Sequence, residues 1–233
     1  MSAPGTLIGV GVGPGDPELV TLKALRVIRE APVLAWPANP EGHSMARTVV
    51  ASWIPPGKTE IAVTMDFVSR GRTSANAAYD AAAAAIAGHL EAGRDVAVLC
   101  EGDPLFYGSF AYILARLGGR FPVSVVPGIT SMTACAAVAA RPVVLLDEVL
   151  TVLPATLAED VLEARLVAAD AAAVMKLGRH LPKVAAVLAR LGLAEDARIV
   201  VRAGHPDQRL LTLPEALAEG VPYFSLLLVR KRP

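Results

Sequence analysis

The residues of this sequence best suited to chemistry sit in three glycine- or proline-rich turns, each just after an apolar run. Gly13-Pro14-Gly15-Asp16-Pro17 follows Leu7 to Val12, Glu101-Gly102-Asp103-Pro104 follows Val96 to Cys100, and Pro127-Gly128 with Thr130-Ser131 follows Val123 to Val126. Each turn is built of residues that expose backbone donors and acceptors. Singly, each also reads as a tight turn, with Asp103 capping the next helix. Gly9, Gly11, Gly13 and Gly15 invite a dinucleotide-binding reading, which needs glycines at the first, third and sixth positions. Counting from Gly9 puts Pro14 at the sixth position, and counting from Gly11 puts Asp16 there. The second apolar run ends in Ala35 and Trp36, with no acidic residue for a ribose. No Gly-Lys-Ser or Gly-Lys-Thr follows the glycines, so a Walker phosphate loop fails as well.

The elements that must position these turns alternate in the first half of the chain. Short apolar runs (Leu7 to Val12, Val33 to Trp36, Val96 to Cys100, Val123 to Val126) are separated by helical patterns. One helix is predicted to present Leu22, Leu25 and Ile28, with Thr21 as its cap. Others present Tyr79, Ala83, Ile86 and Leu90, then Phe110, Ile113, Leu114 and Leu117, then the small-residue stretch Thr130 to Ala140. That alternation predicts a mostly parallel sheet covered by helices, with ligand-binding loops at the carboxyl ends of its strands. From Val143 the rhythm changes: Val143 to Leu146, Ala173 to Met175, Ile199 to Arg202 and Phe224 to Val229 read as strands, with a helix over Val184 to Leu191. A second, α+β domain is expected, with residues 1–130 and 131–233 as the two domains and a fixed cleft between them.

Composition narrows the class. The 233 residues are 54% hydrophobic and carry a formal net charge of zero, which argues against a nucleic-acid partner. No apolar run approaches the roughly 20 residues of a membrane span, and Met1 to Gly5 lack the basic start of a secretory signal. Cys100 and Cys135 alone make neither a disulfide framework nor a metal cluster, so no metal is expected and a reducing cytosol is the inferred compartment.

Read in order, Val10 to Leu19 with Thr21-Leu22-Lys23-Ala24, then Gly102-Asp103-Pro104, then Val126-Pro127-Gly128-Ile129-Thr130-Ser131, resemble the tetrapyrrole methylases, a class of S-adenosylmethionine enzymes. Val174-Met175-Lys176 and Val201-Arg202-Ala203-Gly204 match more weakly. The stretches Cys100 to Phe110 and Pro37 to Ser44 look like the group that methylates C20 of precorrin-2, although Gly108-Ser109 stands where some of that group carry Ser-Thr. The resemblance implies a two-domain tetrapyrrole methylase fold with its active site in the cleft, a homodimer, and methylation of C20 to give precorrin-3A on the route to cobalamin. A closely similar enzyme uses the cobalt-containing substrate of the anaerobic route, and another corrin-ring position or uroporphyrinogen is the further alternative within the family. A non-catalytic S-adenosylmethionine-binding protein is the alternative from another class.

Carried over by position, the resemblance implies cofactor contacts at Pro14, Glu101, Gly102, Asp103, Phe106, Thr130 and Ser131, then at Lys176, Leu177, Ala203 and Gly204. The implied reaction is an in-line displacement at a sulfonium methyl, in which alignment alone supplies on the order of 7–11 kcal/mol. S-adenosylhomocysteine is the product, and a proton must leave the bridge carbon to a side chain or to water; no residue stands out for that role. A substrate rich in acetates and propionates suits arginines, so Arg47, Arg70, Arg72 and Arg179 are candidates, each equally at home on a surface. His43 and Tyr107 are further candidates, with solvent exposure or capping and packing beneath the loop as their plainer uses. Lys176 suits a substrate carboxylate or plain solvation, and Cys100 reads as a small buried apolar residue.

Overall fold

The computed structural model describes residues 3–64 and 72–231, and the chain divides into compact units of residues 1–130 and 131–233. Arg70 lies outside the described residues.

The first unit holds β1 (Leu7–Gly11), α1 (Leu22–Glu30), β2 (Val33–Ala38), α2 (Met45–Val50), β3 (Thr59–Thr64), α3 (Arg72–Glu91), β4 (Val96–Cys100), α4 (Phe110–Leu117) and β5 (Val123–Val126). Its five strands form one parallel sheet in the order β3-β2-β4-β1-β5. β4 is central and buried along its whole length, as a strand covered on both faces must be. Val96, Val98 and Cys100 pack with Tyr79, Ile86, Leu90, Phe110 and Ile113 of α3 and α4. Ala97 and Leu99 face the other layer, against Ala24, Ile28, Val49 and Val50 of α1 and α2.

Local chemistry agrees with this layering. The Thr21 hydroxyl accepts from the Ala24 N–H at 3.1 Å and so caps α1. The predicted apolar face of that helix is corrected in one place: Leu22 is 85% exposed, because it stands in the first turn ahead of the buried Ala24 and Ile28. β2 runs past Trp36 to Ala38 with a proline inside it. Its pairing with β4 stops at Ala35, and Pro37 lies opposite only Val63 of the edge strand β3.

The second unit holds α5 (Ser131–Val138), β6 (Leu150–Pro154), α6 (Glu159–Ala168), β7 (Ala171–Met175), α7 (Leu181–Arg190), β8 (Arg198–Val201), β9 (Arg209–Leu211), α8 (Leu213–Glu219) and β10 (Ser225–Arg230). Its mixed sheet has the order β6-β7-β10-β8-β9. β6 and β7 are parallel, and β10 runs antiparallel between β7 and β8, so β6, β7 and β8 end at the same edge. Leu162, Leu166, Val184, Val187, Leu188, Ile199 and Leu227 fill its core.

The strand expected over Val143 to Leu146 is instead a loop, and β6 begins at Leu150. Leu145 and Leu146 are exposed, Leu146 takes φ 47°, and the Glu148 carboxylate accepts from the Leu145 N–H at 2.8 Å. Glu148 is itself held by the Arg230 guanidinium, whose Nε donates at 2.7 Å. A side-chain-closed turn thus replaces the strand that four apolar residues suggested. Among the described residues no helix is long and apolar enough to cross a membrane.

Candidate active site

Two backbone hydrogen bonds tie the end of β1 to the end of β4. The Val12 N–H donates to the Cys100 carbonyl at 2.9 Å, and the Gly102 N–H donates to the Gly13 carbonyl at 2.8 Å. Glu101 lies between these bonds, so its backbone is fixed from both sides. The third loop is fastened by Asp103: its Oδ2 accepts from the Gly128 N–H at 3.1 Å and its Oδ1 from the Leu105 N–H at 2.9 Å. Asp103 therefore joins the second loop to the third, and each oxygen keeps a further lone pair.

The glycines allow this close approach. A Cβ on Gly128 would lie 2.1 Å from the Gly102 carbonyl oxygen and 2.9 Å from the Gly11 Cα, and a Cβ on Gly11 would lie 2.6 Å from Gly128. Backbone meets backbone here, so only hydrogen fits. The three sequence motifs are thus brought to one place at the carboxyl edge of the parallel sheet, as the strand order requires. Pro14 and Phe106 are half-buried at this edge. The Phe106 ring meets that of Tyr107 edge-on at 5.3 Å. Tyr107 is 49% exposed and takes φ 56°, a conformation uncommon for a bulky residue. Thr130 ends the first unit and Ser131 opens α5, both half-buried.

The two carboxylates of the second loop differ sharply. Asp103 accepts two backbone hydrogen bonds. Among the described residues, the Glu101 carboxyl has neither a hydrogen-bond nor an ion-pair partner, and burial pushes its pKa up to about 7. As a residue Glu101 is half-buried. Burial also pushes the Cys100 thiol up to about 11, despite the Phe110 and Ser109 hydrogen bonds that favour the thiolate. A thiol held that high is an unreactive apolar neighbour, as the sequence suggested.

In the second unit, Lys176-Leu177 follows β7 and Ala203-Gly204 follows β8, at the shared edge of those two strands. Both turns begin with a non-glycine residue in the left-handed region, Lys176 at φ 58° and Arg202 at φ 48°. The Leu177 side chain is fully buried in the core and Ala203 is buried. The Gly204 N–H donates to Gln208 Oε1 at 2.7 Å. Two groups at this edge escaped the sequence reading: the Ser225 hydroxyl and Arg202 Nε are buried and, among the described residues, have no hydrogen-bond partner. Single polar atoms orphaned by tertiary packing leave no trace in periodicity or spacing.

The structure uses the candidate substrate residues unevenly. Arg47 is committed elsewhere: its Nε and Nη2 donate to the two Glu60 carboxylate oxygens at 3.0 and 3.1 Å, and its guanidinium lies 5.1 Å from the Trp36 ring centroid. His43 is exposed in a loop closed by its own N–H donating to Asn39 Oδ1 at 2.7 Å. Arg179 is exposed in the short helical turn after Leu177, and Arg72 opens α3.

Comparison with known proteins agrees with these loops. The family model of the tetrapyrrole (corrin/porphyrin) methylases matches residues 6–218. The chain is 44% identical to the precorrin-2 C(20)-methyltransferase of Sinorhizobium sp., over 97% of this chain and 95% of that protein. It is 48% identical to the cobalamin biosynthesis protein CobIJ of Mycobacterium tuberculosis over 98% of this chain, yet spans only 46% of that relative's length. Against the cobalt-precorrin-2 C(20)-methyltransferase of Salmonella typhimurium the identity is 29%, over 98% of this chain and 97% of that protein. Among solved structures, the uroporphyrin-III C-methyl transferase of Thermus thermophilus complexed with S-adenyl homocysteine superposes with a TM-score of 0.69 at 25% identity, covering 97% of this chain and 92% of that one. With a family match over residues 6–218, which takes in all three glycine- and proline-rich loops, this chain belongs to the tetrapyrrole methylases.

Proposed function

We propose that this chain transfers a methyl group from S-adenosylmethionine to C20 of precorrin-2, giving precorrin-3A and S-adenosylhomocysteine. The observation that carries the reading is the 44% identity, essentially end to end, with a precorrin-2 C(20)-methyltransferase. The lower identity to the cobalt-precorrin-2 enzyme, 29%, makes the cobalt-containing substrate the second reading.

The residues present fit the cofactor. The first-unit loops pack so closely that a Cβ on Gly11 or Gly128 would strike backbone, so they offer N–H and C=O groups in place of side chains. Such a surface suits a zwitterionic amino-acid end and a ribose. We assign cofactor contacts to Pro14, Gly102, Asp103, Phe106, Thr130 and Ser131, with Glu101 beside them. In the second unit we assign them to the backbones at Leu177, Ala203 and Gly204, and to Lys176. When bound, the cofactor supplies an electrophilic methyl on a sulfonium. The protein's task is to hold the donor rigidly and to exclude water, and the doubly tied β1 and β4 ends serve that task. Arg179 and Tyr107 remain assigned to the tetrapyrrole, whose carboxylates suit the guanidinium. The proposed enzyme works as a homodimer in the cytoplasm.

The test is turnover with S-adenosylmethionine and anaerobically prepared precorrin-2, run beside the cobalt-chelated form and read by mass. One methyl added faster to the metal-free substrate supports the reading, and preference for the cobalt form moves the enzyme to the second one. Cofactor binding with methylation of neither would leave a binding protein.

A further inference from the structure

Replacing hydrogen by methyl at a bridge carbon demands an acceptor for the proton, and the second loop carries two carboxyls, Glu101 and Asp103. Asp103 is occupied by two backbone N–H groups. Cys100 is buried and held as a thiol. Glu101 stands between the hydrogen bonds Val12 N–H to Cys100 and Gly102 N–H to Gly13, at the edge where the three loops converge. Its carboxyl has no partner among the described residues and no charged neighbour that holds it ionised. A partly buried carboxyl with no hydrogen-bond partner is costly to keep, and such groups gather where proton transfer is needed.

We propose that the Glu101 carboxylate is the general base that removes the C20 proton. The inference rests on the methyl transfer proposed above. An electron pair of the substrate's π system forms the C20–methyl bond as the sulfur–methyl bond breaks, its electrons staying on sulfur. The C20–H bond then breaks, its electrons return to the π system, and the proton passes to a Glu101 oxygen. A base titrating near neutrality, about 7 here, is ionised often enough to act and basic enough to be effective.

The experiment compares the wild-type protein with E101Q, which keeps size and removes basicity, and with E101D, which keeps a shorter carboxylate. Three readouts are taken: S-adenosylhomocysteine binding by calorimetry, kcat and KM against pH with precorrin-2, and the carboxyl titration of the free protein by carbon-13 NMR, with E101Q identifying the resonance. The expected result is a Glu101 resonance titrating near pH 7, a wild-type kcat that rises through the same range, and E101Q with kcat lower by about 10²-fold or more and a flat profile. Binding by E101Q stays within about threefold, and E101D recovers part of the rate. A wild type that methylates precorrin-2 while E101Q matches its kcat and pH profile overturns the assignment and leaves the proposed function standing. Loss of S-adenosylhomocysteine binding in E101Q overturns it in favour of a cofactor ligand. A folded, cofactor-binding wild type that methylates no tetrapyrrole defeats the proposed function itself, and the base with it.

Discussion

The loops of the first unit and those of the second solve the same problem with different materials. In the first unit, strand ends meet backbone to backbone: Gly128 stands where a Cβ would lie 2.1 Å from Gly102, and the loop ends share hydrogen bonds. In the second, the turns after β7 and β8 begin with Lys176 and Arg202 in the left-handed region, and side chains tie them, as Gln208 ties Gly204 and Asp207 pairs with Arg202. The first arrangement closes main chain on main chain and admits no Cβ at Gly11 or Gly128. The second is closed by side chains, at the expense of local backbone strain at Lys176 and Arg202.

Four substitutions sharpen or break this contrast. Gly128→Ala carries the largest effect: rigid backbone on both sides cannot yield, so a loss of about 3 kcal/mol or more in urea unfolding is expected, with cofactor binding abolished. A fully active Gly128→Ala protein would show that the loops are not the rigid surface described. E101Q comes next, and its stability complements its rate. Glu101 titrates at about 7 in the fold against 4.5 for the ordinary group. Between those pH values the folded state holds a proton that the unfolded state has released, so stability falls as pH rises through that window. E101Q lacks this dependence and should be more stable than wild type by about 1–2 kcal/mol at pH 8, an advantage gone by pH 4. Equal unfolding free energies at both pH values would mean the carboxyl is not desolvated.

Asp103→Asn follows. One amide oxygen cannot replace two acceptors aimed at Leu105 and Gly128, so about 1–2 kcal/mol of stability is lost and S-adenosylhomocysteine binds more weakly by calorimetry. Smallest is Lys176→Gly in the second unit. Relief of the φ 58° strain works against the entropy of glycine and the loss of the lysine's own contacts, and unfolding should change by less than about 1 kcal/mol. A Lys176→Gly change as damaging as Gly128→Ala would erase the distinction between the two sets of loops.

Much of this was legible in the sequence because it rests on local rules. β4 is an unbroken apolar run, Thr21 stands where a cap belongs, and the three motifs each follow a strand, which places them at one sheet edge whatever the details. Val143 to Leu146 misled because an apolar run carries no signal of whether a partner strand exists, and Glu148 with Arg230 closes a turn there. β3, with its exposed Thr59 and Glu60, offered too little apolar content to be seen. Within the site, the glycine loops were readable but the division of labour between Glu101 and Asp103 was not. It depends on which carboxylate the third loop reaches across to, 25 residues further along the chain. Arg47 likewise looked available until Glu60 of the neighbouring strand claimed two of its three nitrogens.

The most direct test of the central claim is the position of a labelled methyl group. Metal-free precorrin-2 is incubated with the protein and S-adenosylmethionine carrying carbon-13 in its methyl, and the product is examined by NMR. The account predicts a single enriched methyl on C20. Enrichment at any other ring position, or no enrichment from a protein that binds S-adenosylhomocysteine, would contradict it.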